Sequence, residues 1–301
     1  MKRYPRRALM HGALRAGAGL TGAMFLSHGG WRRAQAAEST FQAAQRTKKL
    51  TVGIANEKPY GYVDTDGKPT GAIVEVIRTV LAPYGITELD ANVVDFGALI
   101  PGINANRFDI IGAGMYIRPA RCKAIAFSNP VTRSGGAFLA KKGNPKAVHS
   151  LKEVAAKPDV TLGTQTGTSQ VEEVKQAGIS QDRVVLFAKD TEALAGLQAG
   201  RVDIIYFPDL EVNTLLETSK DPNLERVAPF DQIVGPGGQP AWNYQALGFR
   251  KADTDLVEAV NKQIASLLSS GKLLEIIKPY GYSQNELPPA DVTADKICAA
   301  S

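Results

Sequence analysis

The chain has 301 residues, 44% of them hydrophobic, enough for one large domain or two lobes with a core each. Its formal net charge of +5 misleads, because residues 1–36 hold seven basic residues and no acid. With those seven set aside, 28 basic residues face 30 acidic ones, which excludes a basic nucleic-acid or membrane-binding surface.

That first segment reads as a signal peptide. Arg6 and Arg7 precede an apolar run, Ala13 to Leu26, rich in Gly and Ala, and Ala34-Gln35-Ala36 offers a small-residue cleavage site. The run is too short for a membrane-spanning helix. The paired arginines resemble a twin-arginine signal, with Sec export the alternative. Cleavage near Ala36 would release an exported protein to the periplasm. Cys122 and Cys298 then enter an oxidising compartment as an even pair and are expected to form a disulfide. One histidine, His149, follows the signal, so no His-based triad or His-rich metal site is expected, and no cofactor.

Residues 37–49 are polar and Gln-rich and read as a flexible arm. Leu50 to Ile54 alternates as a strand, and Asp66-Gly67 marks a hairpin turn. Apolar residues at 73, 76, 77, 80 and 81 predict a helix from Ile73 to Tyr84, stopped by Gly85. A strand over 89–94, a short helix over 98–106 and a strand over 108–111 follow. Pro119 is placed to open a short helix carrying Arg121. Strand 138–140 then leads into Lys141 to Pro145, a break in composition read as the crossing into a second lobe.

There the alternation resumes, with strands at 160–164, 184–187 and 202–207 and helices at 169–176 and 192–199. Leu99–Ile111 is echoed by Ala193–Ile205, as two lobes of like build would produce. Ala246 to Arg250 reads as the strand crossing back, before helices over 255–269 and 272–278 and a polar tail. The expectation is an α/β chain in two lobes, 50–139 with 246–301 and 140–245. Each is a mainly parallel sheet flanked by helices, joined by a two-strand hinge.

Residues following strand ends in the first lobe are Glu57, Tyr60, Phe96, Tyr116 and Arg121. Three aromatics, one carboxylate and one guanidinium at one sheet edge suit a small zwitterion. Aromatic faces cover a delocalised cation, Arg121 grips a carboxylate with two parallel bonds, and Glu57 accepts from a charged N–H. Across the cleft, Thr166-Gly167-Thr168-Ser169 turns from strand to helix with hydroxyls and N–H groups suited to an anion. It lacks the lysine and spacing of a nucleotide loop.

The strings GIANEKPYGYVDTDGKPTG, DFGALIPGINANRFDIIGAGMYIRPARCKAIAFSNP and GTQTGTS resemble the periplasmic solute-binding proteins of ABC importers, in the polar amino-acid cluster. Within that cluster the chain is most similar to ectoine- and hydroxyectoine-binding proteins, through NE-x-PYGY, the GMYI to AFSNP stretch and the late KICA carrying Cys298. The resemblance implies the type II periplasmic binding protein fold, a monomer, and delivery of solute to an ABC permease in the inner membrane. It further implies that Arg121, with Thr168 or Ser169, binds the solute carboxylate. Tyr60, Phe96 and Tyr116 would box its ring, and Glu57 would accept from its nitrogens. Amino-acid binders of the cluster carry an aspartate for the α-ammonium where this chain has Pro208, with Asp209 one place on. The alternatives are therefore a polar amino-acid binder and a periplasmic enzyme resembling cyclohexadienyl dehydratase, in which Glu57 would act as acid or base.

Overall fold

A computed structural model describes residues 38–235 and 238–300, and the expected signal peptide lies outside them. The described chain opens on a helix where a flexible arm is expected, α1 (Thr40–Thr47). Ser39 and Gln42 form a reciprocal capping box, Phe41 packs edge-on to Tyr84 at 5.2 Å, and Ser39 Oγ donates to Asp255 at 2.5 Å. A polar composition hides this helix, because one aromatic and its cap are enough to dock it.

The first lobe continues with β1 (Lys49–Ile54), the hairpin β2 (Tyr62–Val63) and β3 (Pro69–Thr70), α2 (Ala72–Leu81), β4 (Glu88–Val93), α3 (Leu99–Asn104), β5 (Ile110–Ile111), α4 (Pro119–Ala124) and β6 (Ala126–Phe127). The apolar stripe of α2 is fully buried. That helix stops three residues short of Tyr84, since Pro83 tightens the chain into a 3₁₀ turn capped by Gly85.

From the first lobe, β7 (Thr132–Ser134) passes into the second: β8 (Gly136–Lys141), α5 (Leu151–Ala156), β9 (Leu162–Gln165), α6 (Ser169–Gln176), β10 (Val184–Phe187), α7 (Asp190–Gln198), β11 (Ile204–Pro208), α8 (Asp209–Ser219) and β12 (Leu224–Arg226). The return runs through β13 (Asn243–Gln245) to β14 (Gly248–Phe249), α9 (Thr254–Ser269), α10 (Lys272–Ile277) and α11 (Ala294–Ala299).

The sheets have orders β4-β1-β5-β14-β6 and β10-β9-β11-β8-β12, the type II periplasmic binding protein fold. Each is mainly parallel, as expected, with one strand reversed. Four strands of each run in one direction, and the remaining one, β14 or β8, runs antiparallel to both neighbours. The reason is topological: β8 and β14 are the strands that enter a lobe straight from a crossing, so they arrive from the opposite side. The crossings are β7 and β13, paired antiparallel with Ser134 opposite Asn243. Residues 136–139, expected to close the first lobe, therefore lie in the second sheet, with Phe138 opposite Tyr206.

Alternation along each strand feeds two cores per sheet. Ile204 and Tyr206 face one apolar cluster while Ile205 and Phe207 face the other, and Ile110 and Ile111 divide likewise in the first sheet.

The polar tail, too, is better ordered than its composition suggests, since α11 folds back onto α4. Cys122 and Cys298 are disulfide-bonded with Cα atoms 5.8 Å apart across a separation of 176 residues. Thiol titration of the oxidised, denatured protein is expected to find no free thiol; two thiols per chain would contradict the bond.

Candidate functional site

The parallel strands of the two sheets end facing one another, the usual place for a ligand crevice in open α/β sheets. The loops beyond them line a partly open cavity with about 300 Å³ of space among its atoms, some of it continuous with solvent. All seven side chains expected at a ligand site line it. Glu57, Tyr60, Phe96, Tyr116 and Arg121 come from the first lobe, Thr168 and Ser169 from the second. Gln165, Gln170, Pro208 and Glu211 line it as well.

Glu57 sits where the chain leaves β1, in a turn closed by Tyr60 N–H and Gly61 N–H donating to its carbonyl at 3.0 and 3.2 Å. The turn aims Glu57 and Tyr60 the same way. The Tyr60 ring lies against Gly114, whose φ of +63° suits glycine and where a Cβ would come within 2.7 Å of that ring. Tyr116 and Phe96 complete the aromatic wall. Tyr116 OH donates to Ser134 Oγ at 3.2 Å, and the Arg121 guanidinium lies 5.5 Å from the Phe96 ring centre. All three aromatics are buried.

Arg121 lies in the short helix that Pro119 opens. It donates to the Tyr116 carbonyl and, across the cleft, to the Gly167 carbonyl, each at 2.9 Å. These bonds fix the plane of the guanidinium and leave further N–H groups for an anion. Burial, aided by neighbouring Arg118, pulls its pKa down to about 10, so it stays charged at neutral pH. The lobes approach closely here: a Cβ on Gly167, whose φ is +82°, would stand 2.7 Å from Gly97 Cα. Thr168 Oγ1 is turned back onto the Gln165 carbonyl at 2.7 Å, and Ser169 Oγ accepts from Arg118 at 3.1 Å.

Arg118 also links the lobes. Its Nη2 meets Glu173 at 2.5 Å and Asn243 at 2.6 Å, while Tyr206 OH donates to the same Glu173 carboxylate at 2.7 Å. Arg118, Glu173 and Asn243 flank the cavity without lining it. A lone arginine three places before Arg121 gives no sign of that role in sequence.

Two carboxyls enter the cavity, one from each lobe. Glu57 accepts from Gln165 Nε2 at 2.5 Å, and burial, with Asp190 nearby, raises its pKa to about 8. Glu211 is 3% exposed, and burial followed by the charges of Glu57 and Asp190 holds it well above the ordinary carboxyl range. Glu211 Oε1, Tyr60 OH and Gln170 Nε2 are buried without a hydrogen-bond partner. Three such atoms in one cavity mark where a polar ligand would complete the bonding.

Asp209, the alternative acceptor, does not line the cavity. Its carboxylate accepts from Ser134 Oγ at 2.8 Å, Gly135 N–H at 3.3 Å and Leu210 N–H at 2.8 Å, which ties it to the end of β7 and the start of α8. The acid that reaches the cavity is Glu211, in the first turn of that helix. Among the described residues no group of three or more His, Cys, Asp or Glu side chains is placed to hold a metal. No described helix is long and apolar enough to cross a membrane.

Residues 50–283 match the bacterial extracellular solute-binding proteins, family 3. A probable amino-acid ABC transporter periplasmic-binding protein of Sinorhizobium fredii is 30% identical over 264 residues, covering 86% of each chain. The L-cystine-binding protein TcyA of Bacillus subtilis is 30% identical over 236 residues, covering 77% of this chain and 80% of TcyA. Among solved structures, EhuB in complex with hydroxyectoine superposes with a TM-score of 0.77 at 34% identity, over 87% of this chain and 98% of EhuB.

Proposed function

The chain belongs to the bacterial extracellular solute-binding proteins of family 3, receptors of ABC importers for amino acids or related solutes, and on that premise we propose that its solute is ectoine or hydroxyectoine. The observation that carries this reading is the convergence in one cavity of Arg121, three aromatic rings and Glu57. Ectoine has one carboxylate and a ring whose positive charge is spread over an N–C–N unit. Such a cation is weakly hydrated, so aromatic faces replace its water at little cost, whereas a compact ammonium demands several oxygen acceptors. Arg121 takes the carboxylate, Tyr60, Phe96 and Tyr116 cover the ring, and Glu57 accepts from a ring N–H. The hydroxyectoine complex of EhuB supports the same choice, as does Pro208 where amino-acid binders of this cluster place an aspartate.

On this reading the exported monomer closes on its solute and hands it unchanged to a permease in the inner membrane. Bonds from both lobes already meet across the cleft, so solute that touches both stabilises the closed form by its differential affinity. Calorimetric titration with ectoine, hydroxyectoine, proline betaine, arginine and glutamate is the test. One of the ectoines is expected to bind at least about tenfold tighter than the other three, a preference of roughly 1.4 kcal/mol. Tighter binding of arginine or glutamate would make the protein an amino-acid receptor, and conversion of bound solute during incubation would make it an enzyme.

A further inference from the structure

We propose that Glu211 is the specificity-determining residue of this cleft: it accepts a hydrogen bond from the solute's cation on the second-lobe side, so that the site selects a planar cation with N–H donors on two nitrogens over a cation with none. The inference rests on the functional reading above and goes further by assigning the second acceptor.

Its basis is geometric. Glu57 approaches from the first lobe and is already engaged by Gln165. Glu211 approaches from the second lobe, lines the same cavity, is 3% exposed, and has Oε1 without a partner. A buried carboxyl oxygen left without a donor is destabilising, so the arrangement makes sense if a donor arrives with the solute. No neighbouring side chain supplies one. Tyr60 OH and Gln170 Nε2, the other unpartnered polar atoms of the cavity, make no bond to it, and Arg121 spends its cross-cleft bond on the Gly167 carbonyl. An amidinium or guanidinium plane has N–H groups pointing away from each other, so two carboxyls reaching in from opposite lobes can each take one. A quaternary ammonium offers neither.

The test is Glu211→Gln, which keeps volume and removes the charge-assisted acceptor. Ectoine affinity is expected to fall at least about tenfold, while the affinity for proline betaine, which has no N–H, changes less than about twofold or stays too weak to measure. Thermal melting of the solute-free protein separates this from a structural role, because removing an unpartnered buried carboxyl should leave the melting temperature unchanged or raised. Ectoine affinity within twofold of the parent, or a variant that melts well below it, would overturn the proposal. If the parent protein prefers arginine to ectoine, the functional reading fails. The Glu211 inference is then judged by the same comparison with arginine, whose guanidinium also carries N–H donors on separate nitrogens.

Discussion

Replacing Arg121 by alanine is expected to weaken solute binding by about 2–5 kcal/mol, because it leaves a buried carboxylate without its charged partner. The cost should exceed that of a surface arginine, since this guanidinium is held in place before any solute arrives. The bonds to the Tyr116 and Gly167 carbonyls fix its plane, so little side-chain entropy remains to be lost on binding. The same substitution removes a bond between the lobes, which should open the solute-free protein and lower affinity further. Lysine at 121 should recover only part of the loss, because one ammonium cannot hold a carboxylate by two parallel bonds or span both carbonyls. Calorimetry with ectoine on the parent, Arg121→Ala and Arg121→Lys checks the ranking. An alanine variant within threefold of the parent would mean that the solute carboxylate lies elsewhere.

The first-lobe half of the site is legible in sequence because it obeys one rule: a parallel strand ends, and the next few residues face the crevice. Glu57, Tyr60, Phe96, Tyr116 and Arg121 all follow predicted strand ends, and all five line the cavity. In the second lobe the rule is harder to apply. Gln165 is the last residue of β9, so it reads as part of the strand rather than as its loop. Glu211 falls in the first turn of α8, where an acid is what the helix dipole favours on its own account, and its sequence context offers no sign that it faces inward.

Strand direction is illegible for a related reason. Period-2 burial states which face a residue takes and says nothing of which way its neighbour runs, so the antiparallel β8 and β14 pass for parallel members. Nor does burial say which sheet a strand joins. Gly136 to Ala140 is buried throughout, a pattern that fits a central strand of either lobe, and the break at Lys141 marks the end of β8 rather than the crossing. Short, docked helices are hidden differently. In α1 and α11 the stabilisation comes from caps and from partners far away in the chain, Asp255 for one and Cys122 for the other.

Solute affinity is expected to rise with pH between about 6 and 8 and then level off, with Glu57 as the responsible group. Burial and Asp190 lift its pKa from 4.5 to about 8, against the smaller opposing pull of the Gln165 amide, so at pH 6 the solute-free cleft holds this carboxyl protonated. A solute cation favours the carboxylate and draws that pKa down. Binding below pH 8 therefore releases a proton to solvent, and affinity gains at most about tenfold, or 1.4 kcal/mol, per pH unit. The solute-free protein should show the opposite trend. The unfolded chain ionises this carboxyl near 4.5 while the folded protein resists until about 8, so folding takes up a proton in between and stability falls as pH rises through that window. Glu57→Gln should flatten both trends and, at pH 8, weaken ectoine binding by about 2–5 kcal/mol through loss of a charged acceptor in a dry site. The checks are titration in buffers of different ionisation enthalpy, which counts the released proton, and melting of the solute-free protein from pH 5 to 8. An affinity flat across pH 6–8 with no proton released would show that Glu57 is already ionised before solute arrives.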